Sequence, residues 1–267
     1  MPEVVPTSLV NGFSSIIPLL LLVIFWMIIT VGCLLLTGVD FPSLFIGLLS
    51  MPLSYLTGFW GMLVLGLIGG FLWILGIHGT LIVYVAIMPV MLEAITSNAA
   101  AYQAGGVDAL VYYPVLLFGL MATAGGTGNT IGLSILGLKA KSEQLRAVGK
   151  VSIIPGIFNI NEPVTFGYPI MYNPILAIPY LISIVVPMII GHIGYSMGIL
   201  RPSFISVGSI MPIGIGEFIG SLNIWNSVFS LFVCVLSVVI YYPFFKVYDK
   251  QLFEKEQAYL KNEGGKE

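Results

Sequence analysis

No lysine or arginine occurs before position 139, and all ten basic residues of the 267-residue chain lie at or after it. They fall at Lys139, Lys141, Arg146 and Lys150, at Arg201 alone, and at Lys246, Lys250, Lys255, Lys261 and Lys266. A water-soluble domain spreads both signs of charge over its whole surface, so a cation-free stretch of this length excludes such a surface there. Composition agrees: 58% of residues are apolar and only 8% charged, against roughly a quarter charged in soluble domains. The apolar excess must face lipid. Short basic segments resist export, so residues 139–150 and the C-terminal tail are both expected on the cytoplasmic side, with an even number of crossings between them. A net charge of −2 and the absence of a basic patch exclude nucleic acid as a partner.

Uncharged runs mark the crossings. Ile16 to Val39 is long enough, at about 1.5 Å per residue, to cross roughly 30 Å of hydrocarbon. It lacks a basic flank and exceeds a signal peptide's apolar core, so it reads as a retained span. Phe41 to Thr57, broken by Pro42 and Pro52, is expected to be a surface or re-entrant piece. Gly58 to Ile77 is a second span and carries Gly66-x-x-x-Gly70, a spacing that lets helices approach closely in lipid. From Gly79 a helix is expected to reach Leu92 and give way to a polar turn containing Glu93, Thr96, Ser97, Asn98 and Gln103. Leu110 to Leu138 is uncharged, but Ala122 to Thr130 is poor helix material and predicts a broken helix or hairpin. Such breaks at membrane depth line cavities, because protein or water must satisfy their backbone groups.

Val151 to Gly167, interrupted at Pro155-Gly156 and at Asn159-Ile160-Asn161-Glu162-Pro163, reads as a hairpin re-entering from the cytoplasmic side. Pro174 to Leu200 and Ile224 to Phe245 supply the even number of crossings. Arg201 to Asn223 between them faces outward or dips back in. From Tyr248 the composition is that of a solvated helix, with Lys250 and Glu254 at i, i+4 spacing. The expected fold is therefore an all-α integral membrane protein, a transmembrane helix bundle with re-entrant hairpins, embedded over residues 1–246 and ending in a cytoplasmic tail over 247–267.

Few residues carry chemistry. Glu162 costs about 2.5–3.5 kcal/mol to place near the membrane interior unless something pairs with it. It is either a ligand contact, bracketed by the amides of Asn159 and Asn161, or a structural carboxylate on helix amides. Pro163 is expected to keep Glu162 out of a helix. His78, flanked by Gly76 and Gly79, either touches a ligand or packs as a hydrogen-bonding residue. Trp73 offers an aromatic face to a sugar ring or marks an interface belt. The run Gly125 to Thr130 lacks the Lys-Ser or Lys-Thr ending of a phosphate loop and reads as a hairpin tip. Glu93 and Asp108 are expected at the interface, and His192 in helix packing. Cys33 and Cys234 lie in apolar runs without a second Cys or His at ligand spacing, so no metal is expected, nor any other cofactor. With no nucleophile and base together, the chain does not look like a self-sufficient enzyme.

The stretch Gly156-Ile157-Phe158-Asn159-Ile160-Asn161-Glu162-Pro163-Val164-Thr165-Phe166-Gly167 resembles the lactose/cellobiose/diacetylchitobiose type of sugar-specific membrane component, EIIC, of the bacterial phosphoenolpyruvate-dependent phosphotransferase system. Trp73 to Gly79, Gly125 to Leu133 and Tyr241 to Gln251 resemble it as well. The resemblance implies that Glu162 and His78 contact the sugar near the hydroxyl to be phosphorylated, that Trp73 packs on the sugar, and that Asn159 and Asn161 belong to the same site. It implies a phosphorylated IIB partner whose cysteine carries the phosphate, a disaccharide substrate, and a homodimer in the full-length form. Family members are longer, and this chain is similar to their C-terminal, substrate-binding portion. At Ser209 to Gly214 it departs from a Trp-containing segment common in the family. The expected function is permeation of a β-linked disaccharide through the bacterial cytoplasmic membrane for phosphorylation at C6. The alternatives are a proton-coupled secondary transporter using Glu162 and His78, or a truncated fragment inactive without an N-terminal half.

Overall fold

Where water is excluded, each backbone N–H and C=O needs a partner in the chain, and helices supply it locally. Every regular element among the described residues is accordingly helical. The computed structural model describes residues 16–44, 56–208 and 210–263. They fall in two compact units, divided between Leu53 and Ser54. In the first, α1 (Ile16–Thr37) has no buried residue. Apolar on all sides, it suits a lipid surround. Most of the expected surface piece at Phe41 to Thr57 lies outside the described residues.

The second unit begins with α2 (Phe59–Ile74). The expected span to Ile77 stops early because Gly76, at φ +82°, turns the chain. Gly76 N bonds Trp73 O at 3.0 Å and Ile77 N bonds Leu72 O at 2.9 Å, the pairing of a Schellman ending. Sixteen residues rise only about 24 Å. The Gly66/Gly70 face seats the later apolar helix Pro174–Ser196: a Cβ on Gly66 would lie 3.2 Å from Ile184, and one on Gly70 2.5 Å from it. Then α3 (Gly79–Gly105) runs straight through the expected polar turn. Its polar groups bond instead of breaking it. Thr96 Oγ1 returns to Leu92 O at 2.9 Å, and Asn98 exchanges bonds with Val111 O and N and reaches Ser203 O. The helix ends only at Gly106, φ +69°.

Two 3-10 segments (Gly106–Ala109 and Pro114–Ala122) lead into the turn 123–130 and α4 (Ile131–Gly137). This is the expected break in the uncharged run. A second hairpin follows, made of α5 (Glu143–Ile157) and α6 (Glu162–Gly167). Its first arm starts inside the basic segment, where Ser142 caps it through Leu145 N at 3.2 Å. Pro163 does not exclude Glu162 from a helix: Glu162 opens α6 and Pro163 stands second. In the first turn the missing N–H would have no partner, so proline starts helices there. The inner arms pack closely, since a Cβ on Gly149 would lie 2.7 Å from Gly137, and Ser152 Oγ reaches Ser134 Oγ at 2.9 Å.

Next come α7 (Pro174–Ser196), the short α8 (Ile215–Ser221) and α9 (Ile224–Glu263). The last is one 40-residue helix, so the expected tail helix is the continuation of the final span. Helices α1, α3, α7 and α9 are long and apolar enough to cross a membrane. The core sits between α2, α4, α7 and α9, around Met62, Leu117, Met121, Tyr180, Ile184, Met188 and Tyr241.

Candidate functional site

The turn 123–130 is built by backbone that most side chains disfavour. Gly125, Gly126 and Gly128 all have positive φ, as does Asn129 at +49°. Asn129 replaces missing helix bonds with its own amide, taking Ala124 N at 2.9 Å and giving to Leu120 O at 3.2 Å and Ser183 O at 2.7 Å. Thr130 Oγ1 donates to Gly125 O at 2.6 Å, and Tyr241 Oη to Gly128 O at 2.8 Å. Bonds from several elements stiffen the turn.

The loop between α5 and α6 docks on it. Asn159, at φ +61°, accepts Gly125 N at 2.8 Å and Gly126 N at 3.4 Å on Oδ1, and donates through Nδ2 to Met211 O at 3.3 Å. Asn161 is buried and donates to Thr127 O at 2.9 Å. Gly126 is required at this crossing, because a Cβ there would stand 2.8 Å from both Asn159 O and Asn161 Cβ.

Trp73 and His78 join through the threonines. Trp73 Nε1 donates to Thr80 Oγ1 at 3.0 Å, which in turn donates to Thr127 Oγ1 at 3.0 Å. The His78 ring lies 4.3 Å from the Trp73 ring, centroid to centroid, at 47°. His78 also caps α3, its Nδ1 accepting Leu81 N at 3.2 Å. With Nδ1 an acceptor, the ring carries its proton on Nε2, a donor without a partner among the described residues, on an exposed side chain.

Four of the residues singled out from the sequence thus share one network: Trp73, His78, Asn159 and Asn161. Glu162 follows Asn161 directly; its side chain is exposed, and its carboxylate has no hydrogen-bond or ion-pair partner among the described residues. The two asparagines spend their amides building the loops, and Trp73, only 4% exposed, backs the imidazole. The groups left to meet a solute are His78 Nε2–H, a donor, and Glu162, an acceptor. Each is chemically complementary to a hydroxyl, which both donates and accepts.

Thr80, Thr127 and Glu217 escaped the sequence reading. Glu217, the one charged residue between Arg201 and Lys246, had the same signal as Glu162. His192 is in packing, stacked 4.0 Å from Phe59 with Nδ1 2.9 Å from Tyr112 Oη. Glu93 lines a separate cavity with Thr57, Ser97 and Tyr113.

Residues 1–183 match the model of the family described as phosphotransferase system, EIIC. The chain is 34% identical over 267 residues to a cellobiose-specific EIIC component of Geobacillus stearothermophilus, covering 97% of this chain and 58% of the relative. It is 33% identical over 260 residues to a lactose-specific EIICB component of Lacticaseibacillus casei, covering 97% and 45%. The crystal structure of the transporter ChbC, the IIC component of an N,N'-diacetylchitobiose-specific phosphotransferase system, superposes with a TM-score of 0.74 at 36% identity, over 96% of this chain and 60% of that one. The chain therefore spans little more than half the length of the EIIC proteins it resembles. Matched over most of its residues in sequence, and over nearly all of them in fold, the chain belongs to the EIIC family of the phosphotransferase system.

Proposed function

We propose that the chain binds and translocates a β-linked disaccharide of the cellobiose, chitobiose or lactose kind, presenting its C6 hydroxyl to a phosphorylated IIB partner. The observation that carries this reading is the Glu162 carboxylate, which with His78 Nε2–H is left unpartnered among the described residues while Trp73, Asn159 and Asn161 are bonded. An acid in an otherwise uncharged stretch is costly to insert and is kept for a contact. Trp73, His78, Asn159, Asn161 and Glu162 form the site: the asparagines hold the loops, Trp73 supports the imidazole and packs toward the sugar, and His78 Nε2–H bonds a sugar oxygen. The C6 oxygen attacks the phosphorus of a phosphocysteine on IIB, the S–P bond breaks, and Glu162 takes the hydroxyl proton. His78 steadies charge on the phosphoryl oxygens. The names of the relatives support the sugar class, and the EIICB relative supports a IIB partner. The basic segment and the charged end of α9 lie on the cytoplasmic side, and the full-length form is a homodimer.

Calorimetric titration of the purified chain with cellobiose and N,N'-diacetylchitobiose tests the site. Binding by the wild type is expected to be lost in Glu162→Gln and weakened at least tenfold in His78→Ala, with phosphosugar formation by added phospho-IIB lost in both. Unchanged binding in both variants overturns the assignment, and uptake driven by a pH gradient without a phosphoryl donor would replace it with a proton-coupled transporter.

A further inference from the structure

We propose that Glu217 is a positioning residue for the proposed sugar site, setting the spacing of its loops without touching the sugar. The inference rests on the sugar-site reading above. Three segments meet there: the turn 123–130, the loop 158–161, and residues 210–214 leading into α8. Asn159 ties the first to the third, through Gly125 N and Gly126 N on one side and Met211 O on the other. Ile213 N adds a bond to Ile157 O at 2.9 Å.

Glu217 makes the return link. One carboxylate oxygen accepts the Thr123 hydroxyl at the start of the turn. The other accepts Gly214 N at 2.9 Å. Gly214 is itself in the left-handed region, φ +83°, and its carbonyl takes Ser227 Oγ at 2.6 Å. Turn, Asn159, residues 211–214 and Glu217 therefore form a closed ring of contacts. Asn129 and Tyr241 anchor the far end of the turn, and cutting either link of the ring loosens the near end, from Thr123 to Gly126.

The chemistry of the position calls for a carboxylate. Two N–H or O–H donors converge on the side chain, and a carboxylate offers two acceptors where a carboxamide offers one. Glu217 does not serve as an ion-pair partner among the described residues. Arg201, the nearest cation in sequence, directs its guanidinium to Ser221 O and Leu222 O at 3.3 and 2.8 Å. An acid in an otherwise uncharged stretch is costly to insert and is retained for what it holds.

The test compares wild type with Glu217→Ala, Glu217→Gln, Thr123→Val and Thr123→Ser in the detergent-solubilised chain, by cellobiose and diacetylchitobiose titration and by amide hydrogen exchange. Glu217→Ala and Thr123→Val are each expected to weaken sugar binding about tenfold and to speed exchange over 124–131, while exchange over 181–188 in α7 stays unchanged. Glu217→Gln should fall between Glu217→Ala and wild type. Thr123→Ser should restore wild-type behaviour, and the double variant should bind no more weakly than the worse single one. A merely structural loss would speed exchange in α7 as well and would overturn the proposal, as would unchanged exchange over 124–131 in Glu217→Ala. If the wild type binds neither sugar, the proposed function fails, and the exchange comparison alone decides whether Glu217 holds the turn.

Discussion

Helix α5 carries Asn159 just beyond its C-terminal end, and its N-terminal end is gripped by α9. Asp249 accepts Lys141 N at 3.0 Å and Ser142 N at 2.9 Å, one on each oxygen. Seven residues on, two helical turns along the same face, Glu256 accepts Ser142 Oγ at 2.6 Å, Glu143 N at 3.0 Å and Gln144 N at 3.3 Å. These N–H groups lead into and open the helix, where they have no intrahelical partner and where the helix dipole favours anions. In Asp249→Ala, two charge-assisted bonds vanish. Each is worth about 1.5–3 kcal/mol when buried, but Lys141 is exposed while Ser142 is fully buried, so water recovers part of one bond. The net loss is about 2–3 kcal/mol, or roughly a 30- to 150-fold increase in local opening. Amide exchange over 141–146 measures it directly. Acceleration of less than about threefold would refute the grip.

Acid should loosen the same end. The charged continuation of α9 lies beyond the apolar span, since 40 residues rise about 60 Å against roughly 30 Å of hydrocarbon. Partial desolvation alone would raise the Glu256 carboxyl, but the bonds from Ser142 Oγ, Glu143 N and Gln144 N, with Arg146 nearby, outweigh it and lower the pKa below 4.5. A depressed carboxyl stabilises the fold above its ordinary value and loses that contribution as pH falls through the folded one. Protection over 142–145 should therefore hold at neutral pH and drop below about pH 4.5, and in Glu256→Gln it should no longer do so; a drop of the same size in Glu256→Gln would rule out the carboxylate. His78→Ala should lower stability by about 1 kcal/mol through the lost α3 cap and also weaken sugar binding at least tenfold; His78→Asn should restore the melting temperature but not the binding, separating the two roles. Gly126→Ala, with φ +78° and contacts at 2.8 Å, should abolish binding at a cost of about 1–3 kcal/mol, read by thermal unfolding in detergent. Gly70→Leu should separate α2 from α7 and cost about 1–3 kcal/mol or more, with sugar binding weakened in proportion; a variant as stable as wild type would show that the small-residue face does not seat α7.

The breaks in this chain were legible because glycine and proline act locally. The turn at Gly125 to Thr130 and the interruption before Pro163 are written in backbone preferences that need no distant partner. The persistence of α3 through Glu93 to Gln103 was not legible, because whether Asn98 breaks a helix or braces it depends on Val111 and Ser203, the latter 105 residues away. The single helix α9 was hidden for a related reason: a change from apolar to charged composition marks where lipid ends, and the backbone ladder continues across it. The two acids show what membrane cost alone can and cannot say. Glu162 and Glu217 both stand in apolar surroundings, and the cost argument marks them equally. What separates them is supplied by the fold: Glu217 meets Thr123, 94 residues away, and Gly214, whereas the Glu162 carboxylate meets no partner among the described residues. A costly acid whose acceptors are filled is explained by what it holds. The one left open still needs a donor, and the hydroxyl of the proposed sugar is the group that would answer it.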